Sequence, residues 1–308
     1  MKIAIIAKLS KFKNEYSLNR IKFLNYLSER SSNIYLYDEK FFRVKDINVL
    51  NIDIIIYYWL TKYNDYNKML IKDFNEIKIS KLLLVEDIYH IDSYPIFYNK
   101  YNFNGIILHY KNSRIKELLK NIKYIYELSQ YIDNKTKKDY KLKKEIDILF
   151  YGDTNNKYYP FRNTICRVLK KINKYYNVKI IKKEDNIINE ELSSYINKSY
   201  LTVCTRSRFD IRLKKYQEVI LNKSVILGNI PNSEKYIYKN KVIRVSNKMS
   251  DMEIIFIIKN ALKDKKRLEE LAEKNYKCFM NEYSYENGYN KLIDLLHCHD
   301  QNVKNFSH

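Results

Sequence analysis

Two doubly wound α/β domains, each built on a parallel sheet, are the architecture this sequence predicts. Three observations lead there. Short apolar runs alternate with segments of helical period along the chain, the alternation occurs twice in the same order, and a lysine-rich stretch separates the two rounds.

In the first round, residues 2–7 form an apolar strand, and residues 17–30 carry helical periodicity through Ile21, Leu24 and Leu27. Residues 33–37 read as a second strand, ending at Asp38. Residues 52–58 are apolar without interruption, as a strand covered on both faces should be. Residues 81–85 follow, ending in Glu86-Asp87, and then 105–108, ending in His109-Tyr110. Residues 113–131 have the spacing of one long helix. Five strands joined by helices or long connections imply a parallel sheet, giving a first domain over 1–134.

Residues 135–144 are dominated by lysine and read as a solvated linker. In the second round, 146–151 is a buried strand that stops at Gly152-Asp153-Thr154, and Tyr159-Pro160-Phe161-Arg162 opens a helix running to about 174. A strand at 178–181, a helix at 186–196 and a strand at 200–204 come next. A helix beginning near Ile211 gives way to the strand 225–227, closed by Gly228 and the turn former Pro231. A strand at 242–245 and helices at 251–262 and 265–281 complete a domain over 145–284, and 285–296 is a final helix. The tail contains His297-Cys298-His299-Asp300. Adjacent residues in a flexible segment do not close a metal site, so this end reads as disordered with no metal bound.

Composition narrows the function classes. A chain of 308 residues can bury two cores, and a 45% hydrophobic fraction argues against disorder. No apolar run approaches the roughly 20 residues that span a bilayer, and the first apolar run is too short for a secretory segment. A soluble cytoplasmic protein is expected, in a host cytoplasm or virion if the genome is viral. Cys166, Cys204, Cys278 and Cys298 are too dispersed for a zinc motif, and no disulfide is expected. The formal charge of +21 attracts phosphates. Yet Lys, Asn, Ile and Tyr dominate while only 4 Gly and 3 Pro occur, the skew of an AT-rich genome, and the lysines scatter from Lys2 to Lys304. A nucleic-acid partner is therefore open but not favoured. The 31 tyrosines suit strands and form no stacking register.

The segment from Arg206 to Pro231 carries the chemistry. Seven residues separate Asp210 from Glu218, with Arg212, Lys214 and Lys215 among them. On a helix, Lys214, Lys215 and Glu218 fall on or near one face, where cations suit a diphosphate and a carboxylate suits ribose hydroxyls. The plain alternative is a solvated amphipathic helix whose Glu218 pairs with a neighbouring lysine, worth a few tenths of a kcal/mol. Arg206 and Arg208 follow the strand 200–204 with guanidinium forks that suit phosphate.

Lys215-Tyr216-x-Glu218, the Val-Ile-Leu-Gly strand and the Asn-Ile-Pro turn resemble the donor-binding motif of GT-B glycosyltransferases. Within them the likeness is to the group-1 branch that includes the spore-maturation CgeB-like proteins, which Tyr159-Pro160-x-Arg162 also resembles. It covers about the second half of the chain. The resemblance implies two Rossmann-like domains facing a cleft, with the C-terminal helix crossing back to the first. It implies metal-independent transfer of a sugar from a nucleotide-sugar co-substrate, without other cofactor, to a glycan, protein or small molecule. Glu218 would hold the ribose, Lys215 with Arg212 or Arg208 the diphosphate, and Asp210 the transferred sugar. Arg162 would clamp the diphosphate or the structure, and Gly152 would let a phosphate approach the backbone. The chain departs from the family pattern in opening its acidic motif with Asp210 instead of Glu, and in lacking the glycine-rich loops.

In the first domain, Asp87 and His90 follow a buried strand and are candidates for the base that takes an acceptor proton, with His109 a second choice. A polar turn capping the next helix is the other reading of Glu86-Asp87-x-x-His90. Two alternatives to the main function stand: glucosylation of modified DNA bases, and a catalytically inactive scaffold that binds a glycan or a protein.

Overall fold

The computed structural model describes residues 1–9, 15–59, 69, 71–85, 88–110, 113–129, 131, 141–154, 159, 161–187 and 189–305. The chain divides into two compact units, Met1–Lys135 with Tyr283–His308, and Thr136–Glu282.

The first unit contains β1 (Ile3–Ala7), α1 (Glu15–Arg30), β2 (Ile34–Asp38), α2 (Lys45–Leu50), β3 (Ile54–Trp59) and β4 (Ser80–Val85), then α3 (Tyr94–Lys100), β5 (Gly105–Leu108), α4 (Ser113–Leu118) and β6 (Ile125–Glu127). The strands pair in the order β2-β1-β3-β4-β5-β6, all parallel. Their unbroken Ile and Leu runs are buried throughout β1, β3 and β5, as strands sandwiched between helices require.

The long helix expected at 113–131 is a correction. Only α4 forms, and a sixth strand, β6, follows it. Ile115, Leu119 and Ile122 are buried and have helical spacing. Beyond them, Ile125-Tyr126-Glu127 is a β-branched and aromatic run that pairs along β5, Ile106 opposite Ile125. The open edge of a sheet decides the outcome where the local periodicity does not.

The second unit contains β7 (Ile146–Tyr151), α5 (Arg162–Ile172), β8 (Val178–Ile181), α6 (Asn189–Asn197), β9 (Ser199–Cys204), α7 (Lys214–Leu221), β10 (Val225–Gly228), β11 (Val242–Arg244), α8 (Asp251–Leu262) and α9 (Lys265–Glu282). Its parallel sheet runs β11-β10-β9-β7-β8. In both units the first strand lies between the second and the third, which creates the switch point beside which open α/β sheets bind ligands. Ile148, Phe150, Leu201, Val203, Val225 and Leu227 form the buried layer against helices α5 and α8. Helix α8 starts with a capping box, Ser250 with Glu253. Helix α7 ends in a left-handed residue, Lys223 at φ 53°. The Ser224 and Lys223 amides there donate to the Val219 and Ile220 carbonyls.

Helix α10 (Tyr285–Asn305) belongs to the first unit, where Leu292 and Leu296 join the core of Ile3, Leu24 and Leu82. Gly288 makes close approach there: a Cβ would lie 2.6 Å from the Tyr131 ring and 2.8 Å from Phe23. The expected disordered tail is a second correction, since the helix continues to Asn305 and His299 is fully buried. Its Nε2 lies 2.6 Å from Ser80 Oγ and its Nδ1 lies 2.9 Å from the Tyr126 hydroxyl. Burial holds the imidazole below its ordinary pKa. Leu292, Leu295, Leu296 and His299 share one helical face, so the histidine prolongs an apolar stripe.

Within the lysine-rich join at 135–144, Lys141 and Lys143 are exposed as a solvated linker requires, and Lys144 departs from it. Residues 132–140 lie outside the described residues. Lys144, however, is half-buried and donates to the carbonyls of Asn197 at 2.6 Å, Ser199 at 2.8 Å and Lys223 at 2.5 Å. Burial, with Lys223 nearby, pushes its ammonium pKa down to about 8. Among the described residues no helix is long and apolar enough to cross a membrane.

Candidate functional site

The second unit concentrates charge at the carboxyl ends of β7, β9 and β10. Gly152 follows β7 at φ 98°, a conformation that a side chain would strain. Arg162, the first residue of α5, is buried. Its Nε donates to Thr205 Oγ1 at 3.1 Å and its Nη1 to the Asp153 carbonyl at 2.6 Å. The guanidinium carbon sits 3.6 Å from the centre of the Tyr159 ring. Arg162 therefore ties the loop after β7 to the loop after β9 across the switch point. Of the two roles open to it, these contacts describe the structural clamp.

Helix α7 presents two groups to the end of β7. Lys215 is buried, and its ammonium donates to the Tyr151 carbonyl at 2.6 Å and lies 3.7 Å from the centre of the Tyr151 ring. Burial and then the Arg162 charge push its pKa down to about 7, while Cys204 and Glu218 pull the other way. The Cys204 thiol, also buried, is pushed up to about 12. Glu218 Oε2 accepts from the Tyr151 hydroxyl at 3.2 Å, and Oε1 stands 3.4 Å from Lys214 Nζ. With 29% of its side chain exposed, Glu218 is reachable by a solute.

The helix starts at Lys214, three residues later than Ile211, because the preceding chain turns tightly. Asp210 adopts φ 56°, its amide donates to the Ser207 carbonyl, and Phe209 and Ile211 are buried. The Asp210 carboxylate accepts from Arg206 Nη1 at 2.6 Å and from Asn232 Nδ2 at 2.8 Å. The Arg206 amide donates to Asn229 Oδ1 at 3.0 Å, and the Tyr216 hydroxyl donates to the Asn229 carbonyl at 2.5 Å. Asp210 thus joins the loops after β9 and β10. Arg208 is exposed and lies over Phe209, 4.6 Å from its ring centre.

Arg212, expected at the diphosphate, is engaged by protein groups. It is buried, with Nε 3.5 Å from Glu234 Oε2 and Nη1 3.5 Å from the Tyr238 hydroxyl. The residue precedes the helix in irregular chain, so it packs under the β10 loop instead of standing on the exposed first turn. Burial raises the Glu234 pKa, against the pull of Arg212.

In the first unit, Asp87 lies outside the described residues, as does the side chain of His90. His109 is buried with Nδ1 2.7 Å from the Leu128 carbonyl. Sequence reasoning missed Glu39, a buried carboxylate just after β2 that accepts from the Tyr57 hydroxyl at 2.8 Å and lies 3.7 Å from Lys8 Nζ. It stands in an Asp-Glu-Lys run that reads as a surface turn, so nothing local marks it. Tyr151, Thr205, Asn229 and Asn232 were also missed. Tyr151, Thr205 and Asn229 border the ends of β7, β9 and β10, the one signal that could have found them.

No protein-family model matches the sequence, and no curated protein matches it. Solved structures do. An alpha-glucosyltransferase in complex with UDP and a 13-mer DNA containing a central A:G mismatch superposes with a TM-score of 0.59 at 12% identity, over 96% of this chain and 99% of that one. Anabaena HepE in complex with UDP and glucose gives 0.55 at 9% identity, over 97% and 100%. TarM gives 0.51 at 15% identity, over 79% and 54%, so the chain spans about half of that protein. It spans 59% of pneumococcal GtfA. The fold is GT-B: two Rossmann-like domains, each on a parallel sheet. At these identities the likeness establishes the fold and nothing finer.

Proposed function

We propose that the chain is a nucleotide-sugar-dependent glycosyltransferase whose second unit binds the donor. The observation that carries this reading is the partly exposed Glu218 carboxylate, anchored by Tyr151 beside the switch point, with Lys214 3.4 Å from it and Lys215 on the Tyr151 carbonyl. A carboxylate offers two acceptors to the vicinal hydroxyls of a ribose. The adjoining cations can take the charge that develops on a departing nucleoside diphosphate, so the transfer needs no divalent metal. Lys215, whose ammonium pKa burial pushes down to about 7, would be held in its charged form opposite a diphosphate. The structures of similar fold that carry UDP support uridine as the nucleoside. The acceptor, a glycan, protein or small molecule, falls to the first unit, where Asp87 and His90 keep their place as candidate bases. Asp210, which joins the loops after β9 and β10, keeps its place as the candidate contact to the transferred sugar.

The test is turnover. Purified protein should hydrolyse or transfer sugar from a UDP-sugar, and Glu218→Ala should lower kcat/KM by about 30-fold, the loss of roughly 2 kcal/mol of charge-assisted hydrogen bonding. Equal turnover in the variant contradicts the assignment of Glu218, and complete inactivity with every nucleotide sugar contradicts the reading itself.

A second reading, glucosylation of a base in DNA, is favoured by the charge of +21 and by the full-length likeness to the DNA-bound alpha-glucosyltransferase. It entails duplex binding that weakens by orders of magnitude between about 50 and 200 mM salt. Absent or salt-insensitive binding removes it.

A further inference from the structure

We infer that Tyr151 is a positioning residue that makes the site selective for ribose over deoxyribose, by fixing the plane of the Glu218 carboxylate. This rests on the reading of Glu218 as the group that takes the ribose hydroxyls. Two oxygens must point together at two vicinal hydroxyls, and an exposed glutamate turns freely about its last torsion. Here it is restrained. The Tyr151 hydroxyl donates to Oε2 at 3.2 Å, while Lys214 on the same helix stands 3.4 Å from Oε1. The lysine is an i,i+4 partner on a long stem with several torsions, so it fixes the plane less firmly than the tyrosine does.

Tyr151 is itself held rigidly. It is the last residue of β7, it is buried, its carbonyl takes the Lys215 ammonium at 2.6 Å, and its ring lies against the same ammonium. Ring, carbonyl and strand thus set the hydroxyl, and the hydroxyl sets the carboxylate. Each Glu218 oxygen keeps a lone pair for a ligand hydroxyl, since a carboxylate oxygen accepts more than one hydrogen bond. Tyr151→Phe removes a single oxygen and leaves the ring, the carbonyl and the Lys215 contacts in place. Glu218 is partly exposed, so water can replace the lost donor without a folding penalty.

The experiment titrates UDP and 2′-deoxy-UDP into the wild type, Tyr151→Phe, Glu218→Gln and the double variant. The wild type should prefer UDP by about tenfold, a hydrogen bond to a charged group. Tyr151→Phe should shrink that preference to about twofold, chiefly by weakening UDP. In the Glu218→Gln background, where a single amide oxygen can still accept from the tyrosine, the tyrosine change should have a smaller effect on the preference than in the wild type, because the two residues are coupled. UDP binding with an undiminished preference in Tyr151→Phe overturns the role of Tyr151 and leaves the donor-site reading standing. Absence of UDP binding by the wild type overturns both.

Discussion

Gly228→Ala is expected to prevent the chain from reaching its folded state, costing at least about 4 kcal/mol. Gly228 ends β10 and lies opposite Cys204 in the parallel pairing with β9. A Cβ at that position would stand 1.6 Å from the Cys204 carbonyl oxygen and 2.8 Å from its carbon. Both are backbone atoms of β9, which is paired on its other side with β7, so neither can yield as a flexible side chain could. Relief requires β9 and β10 to part, and that would displace Thr205 and Asn229, the partners of Arg162 and Arg206. Soluble yield and urea unfolding measure the effect. An alanine variant with a wild-type midpoint would contradict the packing of these two strands.

Lys144→Met is expected to cost about 3 kcal/mol, because three carbonyls lose a shared charged donor and methionine offers none. The carbonyls belong to Asn197 at the end of α6, Ser199 in β9 and Lys223 at the end of α7, so one ammonium joins three elements. The neighbouring Lys143 is exposed, and Lys143→Met should change stability by less than about 0.5 kcal/mol. Urea unfolding of the two variants separates them. Equal midpoints would mean that the three bonds contribute nothing beyond what water supplies.

Both sheets were legible in the sequence because strands buried on both faces leave unbroken apolar runs, as at Ile54–Trp59 and Ile146–Tyr151. Strand β6 was not legible, since its residues fit a helical period and only the vacant edge of β5 distinguishes the outcomes. Nor was the burial of His299, although Leu292, Leu295 and Leu296 carried the stripe that leads to it. Around the site, Gly152 and Arg162 could be picked out because they sit next to strand and helix ends recognisable in the sequence, and Lys215 and Glu218 by their spacing along one helix. The fates of Asp210 and Arg212 could not, because each depends on partners about twenty residues away: Asn232 for one, Glu234 and Tyr238 for the other. A charged side chain near an anion site looks the same in sequence whether it meets the ligand or another loop. Tyr151 was hidden for the opposite reason, reading as one more apolar strand residue while its hydroxyl meets Glu218.

The most direct measurement is calorimetric titration of UDP into the wild type and Glu218→Ala. The expected result is saturable binding by the wild type and affinity about 30-fold weaker in the variant, both folded to the same melting temperature in the absence of ligand. Equal affinity in the two proteins, or no heat from UDP or any other nucleoside diphosphate, would contradict the placement of a donor nucleotide against this carboxylate.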